Sequence, residues 1–420
     1  MEYQKSEVSW NHKSIIENPK VKIYGIPQRI FDWLKIMGQQ FVLGIAEFSY
    51  SIGAGAFPLF EEIGLKKYIA TTSTIPLPIH LHFLGQEHYY SMPELMHPQV
   101  YYIFYEQNQE KYLILARKRA LEKNLSGNHK LIKVEEMPKM WDLLRKSKYY
   151  LINVHPLGQF LFPNIPKRIV NIGGIVVEIE GILNEIEEGK RLKEEQKNKG
   201  TITGFLKNKV KEHFFEDPVF EWIKETDCFV LFYMDKNSNF DGFTQKHFTK
   251  LLDIFSKYDN KCRFVVQLIA QKNIRGFITT GDQKSFNHAL YAGVPLILIP
   301  FTFEEKFNAK VAEYMGAGVN FDHTKFLSEF TFAVAKLMRE DQEFNPNMFV
   351  ENANKIKKAI HKFPKGQIKM FLETVEKAIE EKDEEEPFPE MPTKFEEIGH
   401  VGGIKPFSVV LDEFINLKQK

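Results

Sequence analysis

The chain has 420 residues, 43% hydrophobic and 26% charged, with a net charge of +1 and only two cysteines. This composition excludes a disordered chain and a disulfide-stapled miniprotein, and the length points to two domains. A near-zero net charge gives no global field for nucleic acid or an anionic membrane surface, so no nucleic-acid partner is expected.

The opening residues, MEYQKSEVSWNHKSIIENPK, lack the apolar core of a signal peptide, and no run reaches the ~20 apolar residues of a membrane helix. As written, the chain reads as soluble and without a targeting signal. Residues 40–48 (QFVLGIAEF) predict a buried strand, residues 51–65 a short helix and residues 66–73 the next strand. A helical pattern follows over 98–124, with Tyr102, Tyr105, Tyr112 and Leu115 on its inner face. The segments KSKYYLINVHP and KRIVNIGGIVV read as two more strands that close the first half.

Residues 176–217 are dense in mixed charge and read as a solvated helix or interdomain linker. The second half restarts with a strand at 227–234 and a helix at 244–258. Strands at CRFVVQLIA and IRGFITT, a helix over 283–292 and the strand VPLILIP come next. A helix through EEKFNAKVAEYMG, the strand GVNF and three amphipathic helices (325–340, 347–362, 366–381) finish it. This alternation predicts an α/β protein with parallel sheets and crossover helices. The expected domains are 1–175 and 218–381, joined by the linker and followed by an acidic, proline-punctuated tail over 382–420 that reads as extended. Cys228 and Cys262 have the apolar neighbours Phe229, Val230, Phe264 and Val265, which predicts two buried thiols on neighbouring strands, with pairing as the alternative.

The stretch FITTGDQKS, from residue 277, carries the most functional information. A parallel strand ending in a small-residue turn that feeds a helix is the usual anion site of α/β proteins. Free backbone N–H groups point outward there, and the helix dipole favours negative charge. Thr280, Lys284 and Ser285 are candidate donors to phosphate oxygens around the turn at Gly281. Asp282 argues the other way, because a carboxylate at the helix N-terminus occupies the dipole and repels a diphosphate. The alternative is a plain helix cap at Asp282 and a turn glycine at 281.

The span 277–320 resembles the donor-binding signature of the UDP-glycosyltransferases, particularly the glucuronosyltransferase branch and its nematode members. Phe277, Ile278, Thr279, Gly281, Ser285, Ala289, Gly293, Pro295, Pro300 and Asn308 fall in its register. GIAEFSYSIGAGAFPLFEEIGLKKYIATTS and KRIVNIGGI resemble the family's acceptor domain. The resemblance implies a GT-B architecture, two Rossmann-like domains facing across a cleft. It also implies transfer of a hexose or glucuronate from a UDP-sugar to a small lipophilic acceptor with inversion. The UDP-sugar is a co-substrate; no cofactor and no metal are implied. Homo- or hetero-oligomers with family members and a place at the endoplasmic reticulum membrane are implied too, whereas the residues as written fit the cytoplasm.

The departures from the signature gather at the chemistry. Thr280 stands where the family's diphosphate-contacting histidine belongs, Asp282 replaces a glycine and Lys284 an asparagine. His288 takes the place of the ribose-holding glutamate, and Glu304–Glu305 that of the Asp-Gln pair on the transferred sugar. An added carboxylate there disfavours an anionic glucuronate and tolerates a neutral hexose. The uracil-stacking tryptophan is missing, with Gln267 its nearest substitute. Glu47 falls at the carboxylate of the catalytic dyad, but no histidine precedes it in a strand, and His12 is not accepted as that base. Two readings follow: an active transferase, or a catalytically impaired relative or interaction protein that keeps the fold. A nicotinamide-dependent oxidoreductase is excluded, since no Gly-x-Gly-x-x-Gly follows an early strand.

Overall fold

The structure is a computed structural model that describes residues 18–48, 56–76, 80, 84, 140–160, 166–183, 228–234, 243–258, 262–266, 274–338, 347–362 and 366–381. The predicted helix at 98–124, the charged segment beyond residue 183, the acidic tail, His12 and Gln267 lie outside these residues. The chain divides into two compact units. The first comprises Met1–Asn153, Leu161–Ile172 and Lys369–Ile404; the second comprises Val154–Phe160, Gly173–Ile368 and Lys405–Lys420.

The first unit opens with an antiparallel hairpin, β1 (Lys20–Ile23) and β2 (Ile26–Arg29), and helix α1 (Ile30–Gly38). Then come β3 (Gly44–Glu47), α2 (Ala56–Ile63), β4 (Tyr68–Thr72), α3 (Met140–Lys146), β5 (Tyr150–Ile152) and β6 (Ile169–Asn171). Among the described residues the sheet runs β3-β4-β5-β6, all parallel. Ile69 and Leu151 are fully buried and pack with Ala378, Phe371 and Val375 of the last helix, α10 (Gln367–Glu380). The strand expected over 40–48 shrinks to Gly44–Glu47, because Phe41 and Val42 stand exposed ahead of the sheet.

KRIVNIGGIVV is not one strand. β6 stops at Asn171, and residues 175–183 form helix α4. Gly174 sits at φ 96°, and a Cβ there would lie 2.1 Å from the Tyr291 ring, so the chain turns where only glycine fits.

The second unit holds α4, β7 (Phe229–Tyr233), α5 (Gln245–Tyr258), β8 (Arg263–Val266) and β9 (Ile274–Thr279). It continues with α6 (Gln283–Ala292), β10 (Leu296–Leu298), α7 (Phe303–Tyr314) and β11 (Gly318–Asn320). A 3-10 turn (His323–Lys325), α8 (Phe326–Leu337) and α9 (Asn347–Lys362) complete it. These helices begin and end within a few residues of the expected limits, because their apolar stripes and capping residues are strong. The parallel sheet runs β11-β10-β9-β7-β8. Numbered along the unit, that is the doubly wound order 2-1-3-4-5, whose topological switch lies between β7 and β9. In such sheets ligands bind outside the carboxyl ends of the strands at the switch. The core beneath is Val230, Ile278, Ile297, Ile299, Tyr258, Phe326 and Phe330, all almost fully buried.

The expectation of two free thiols is corrected. Parallel pairing of Phe229 with Arg263 sets Cys228 beside Cys262 with Cα atoms 4.6 Å apart, and the two are joined in a disulfide. That spacing lies within the range a disulfide spans.

Candidate functional site

The turn after β9 lies at the switch point. Gly281 has φ 94°, and a Cβ on it would fall 2.5 Å from Leu298 Cδ2. Its N–H donates to Thr279 Oγ1 at 3.3 Å, and its carbonyl accepts from Asn308 Nδ2 at 2.9 Å. Thr280 and Asn308 are fully buried, and Thr280 Oγ1, Asn308 Oδ1 and Gln283 Oε1 have no hydrogen-bond partner. Asp282 is the N-cap of α6 and accepts from Ser285 N–H at 3.0 Å; Ser285 itself is buried. Gln283 N–H donates to Glu304 Oε1 at 2.7 Å. Two of the amides that open α6 are therefore held by carboxylates of the same chain.

Glu304 and Glu305 both sit in the first turn of α7 but face different partners. Glu305 is buried and completes a capping box with Thr302. Its Oε2 accepts from Thr302 N–H at 2.7 Å and from Phe301 N–H at 2.9 Å. That geometry satisfies the free amides at a helix start.

Lys284 and His288 lie one turn apart on the outer face of α6. His288 Nδ1 is 2.8 Å from the Lys284 carbonyl, and its Nε2 is 3.0 Å from Glu180 Oε2 of α4. Lys284 Nζ stands 3.9 Å from Glu180 Oε1. Glu178, half a turn before Glu180, fixes α4 in place. It accepts from Tyr291 Oη at 3.1 Å and from the Gln367 and Ile368 amides at 2.9 and 3.0 Å.

In the first unit Glu47 ends β3, and its Oε1 accepts from Ser73 Oγ at 2.6 Å and Ser73 N–H at 3.3 Å. His80 is buried with Nδ1 2.9 Å from Tyr150 Oη and its ring edge-on to Phe48. Burial pushes the His80 imidazole down to about 3, so it stays neutral, and burial raises the Tyr150 phenol. Among the described residues no group of three or more His, Cys, Asp or Glu side chains is placed to hold a metal ion.

Residues 265–363, which span β9, the turn, α6 and α7, match the profile described as UDP-glucoronosyl and UDP-glucosyl transferase. The likeness to the UDP-glycosyltransferase family is centred on these residues. The chain is 26% identical over 259 residues to the putative UDP-glucuronosyltransferase ugt-47 of Caenorhabditis elegans, a match covering 59% of this chain and 45% of that protein. It is 29% identical over 119 residues to ugt-48 of the same species, covering 28% of this chain and 22% of that protein. The matched part thus spans about half the length of the first of these relatives. Among solved structures the chain is similar to spinosyn forosaminyltransferase SpnP, with a TM-score of 0.47, 11% identity and coverage of 85% and 81% of the two chains. It is likewise similar to Phytolacca americana UGT2 complexed with UDP-2fluoro-glucose and pterostilbene, with a TM-score of 0.47, 12% identity and coverage of 83% and 78%.

Within the matched residues the structure gathers Thr280, Gly281, Lys284, Ser285, His288, Glu304 and Glu305 around the N-terminal half of α6 and the start of α7. Glu47 lies in the other unit. Sequence reasoning missed Glu180, because it reaches His288 from 108 residues away. It also missed His80 and Tyr150, whose hydrogen bond joins positions 70 residues apart.

Proposed function

We propose that this chain is a UDP-sugar-binding protein of the UDP-glycosyltransferase family whose donor seat is the turn after β9. Its reaction class is transfer of a neutral hexose to a small lipophilic acceptor. The observation that carries the reading is the Thr280–Gly281 turn at the carboxyl end of a switch-point strand, inside the family-matched residues. Such a turn directs backbone amides and a helix dipole at a diphosphate, the group whose charge develops as the glycosyl bond breaks. Glu304, beside the seat, repels a second carboxylate, which favours hexose over glucuronate. A GT-B arrangement, an acceptor site in the first unit and assembly with family members belong to this reading as proposals. So does residence at the endoplasmic reticulum, to which the Cys228–Cys262 disulfide adds support because such bonds persist in oxidising compartments. Among the described residues no helix is long and apolar enough to cross a membrane.

A specific observation favours impaired catalysis as the second reading. Glu47 spends its carboxylate on Ser73, and His80 is buried against Tyr150, so neither is arranged as a base on an acceptor hydroxyl. Loss of general-base assistance costs about 10²–10⁴-fold in rate. Calorimetric titration of UDP into the purified chain tests the binding claim. Saturable binding that weakens several-fold in Lys284→Ala is expected, and no binding at millimolar UDP would overturn it. Product assay with UDP-glucose and a panel of phenols then separates the active from the impaired reading.

A further inference from the structure

Four donor groups of the candidate seat already have a carboxylate of this chain on them. Gln283 N–H donates to Glu304, and Ser285 N–H donates to Asp282. Lys284 and His288 both converge on Glu180. These three carboxylates come from three different elements: α4, the cap of α6 and the first turn of α7. Together they supply the negative charge that an α/β anion site draws from a ligand. Beside them Thr280 keeps a buried hydroxyl with no partner, and Asn308 and Gln283 keep unpartnered side-chain oxygens. A buried hydroxyl without a partner is costly, and a phosphate oxygen would satisfy Thr280 by accepting from it, whereas the Asn308 and Gln283 oxygens are acceptors and offer an anion nothing.

We infer that Glu304 and Glu180 are internal ligands of this seat, and that a diphosphate binds only by displacing them. Asp282 is set apart because it is the helix cap, and removing it costs the helix start. Glu304 and Glu180 are both half-buried acceptors at the edge of the seat, and neither is the N-cap residue of α6 or α7. The occupants compete directly: a phosphate oxygen and a carboxylate oxygen cannot share the Gln283 amide. Neutralising the two glutamates removes the competitor and the repulsion together. Glutamine at 304 still offers a carbonyl to Gln283 N–H, so the helix start is preserved.

The inference rests on the donor-seat reading, and the experiment separates the two. Inorganic pyrophosphate and UDP are each titrated into the full chain, into Glu304→Gln and into Glu180→Gln/Glu304→Gln. Glu313→Gln, at the far end of α7, controls for the change in net charge, and thermal melting checks that each variant folds. The expected result is a tenfold or larger gain in affinity for both probes in the double variant, a smaller gain in Glu304→Gln and none in Glu313→Gln. Wild-type protein that binds UDP as tightly as the double variant would overturn the internal-ligand inference and leave the donor seat standing. A gain for pyrophosphate with none for UDP would sustain the internal ligands and contradict the nucleotide reading. If neither probe binds any folded variant, both claims fail.

Discussion

Glu304 and Glu305 are adjacent in the chain, yet their carboxylates serve different helices. Glu304 closes the first amide of α6, and Glu305 closes the start of α7. Replacing Glu305 with Ala strips two amides of their acceptor and should cost about 2 kcal/mol, read by denaturant unfolding. Gly281 is held by geometry. A side chain at φ 94°, pressed on Leu298, predicts that Gly281→Ala lowers stability by about 3 kcal/mol in the same measurement. The small residues, the glycine and the cap at Asp282 were readable from FITTGDQKS alone, because each acts on its sequence neighbours. Glu180 was not readable, since its placement depends on α4 packing along α6.

At the scale of elements, the second unit was almost fully legible. Its helices carry strong apolar periodicity, and glycine or proline punctuates each strand, as in GVPLILIP. The failures have physical causes. The hairpin β1–β2 shows no buried face and so no alternation for a pattern to catch. GGIVV reads as strand because valine favours one, but tertiary packing of Gly174 against Tyr291 starts a helix there instead. Cys228 and Cys262 read as buried thiols from their apolar neighbours, and only the pairing of β7 with β8 brings them into bonding range. That bond closes a loop with a sequence separation of 34. Its removal in Cys228→Ser/Cys262→Ser should lower the stability of the unit by about 3–4 kcal/mol.

Across the whole molecule, each unit contains a histidine held neutral by burial: His80 in the first and His155 in the second, both pushed down to about 3. The unfolded chain binds these protons near pH 6.5, whereas the folded chain refuses them until near pH 3. The unfolded state therefore gains protons first, and stability falls as pH drops through this window, by up to about 1.4 kcal/mol per pH unit for each histidine. Melting temperature against pH should show this slope, and His80→Gln and His155→Gln should each flatten it. In the second unit the switch-point turn lies within the family-matched residues, with the chain's own glutamate on its Gln283 amide. The most direct test is a crystal structure of the protein grown with millimolar UDP. Diphosphate oxygens are expected within about 3 Å of Gln283 N–H, with Glu304 turned away from that amide. UDP bound elsewhere, or bound with Glu304 still on Gln283, would contradict this expectation.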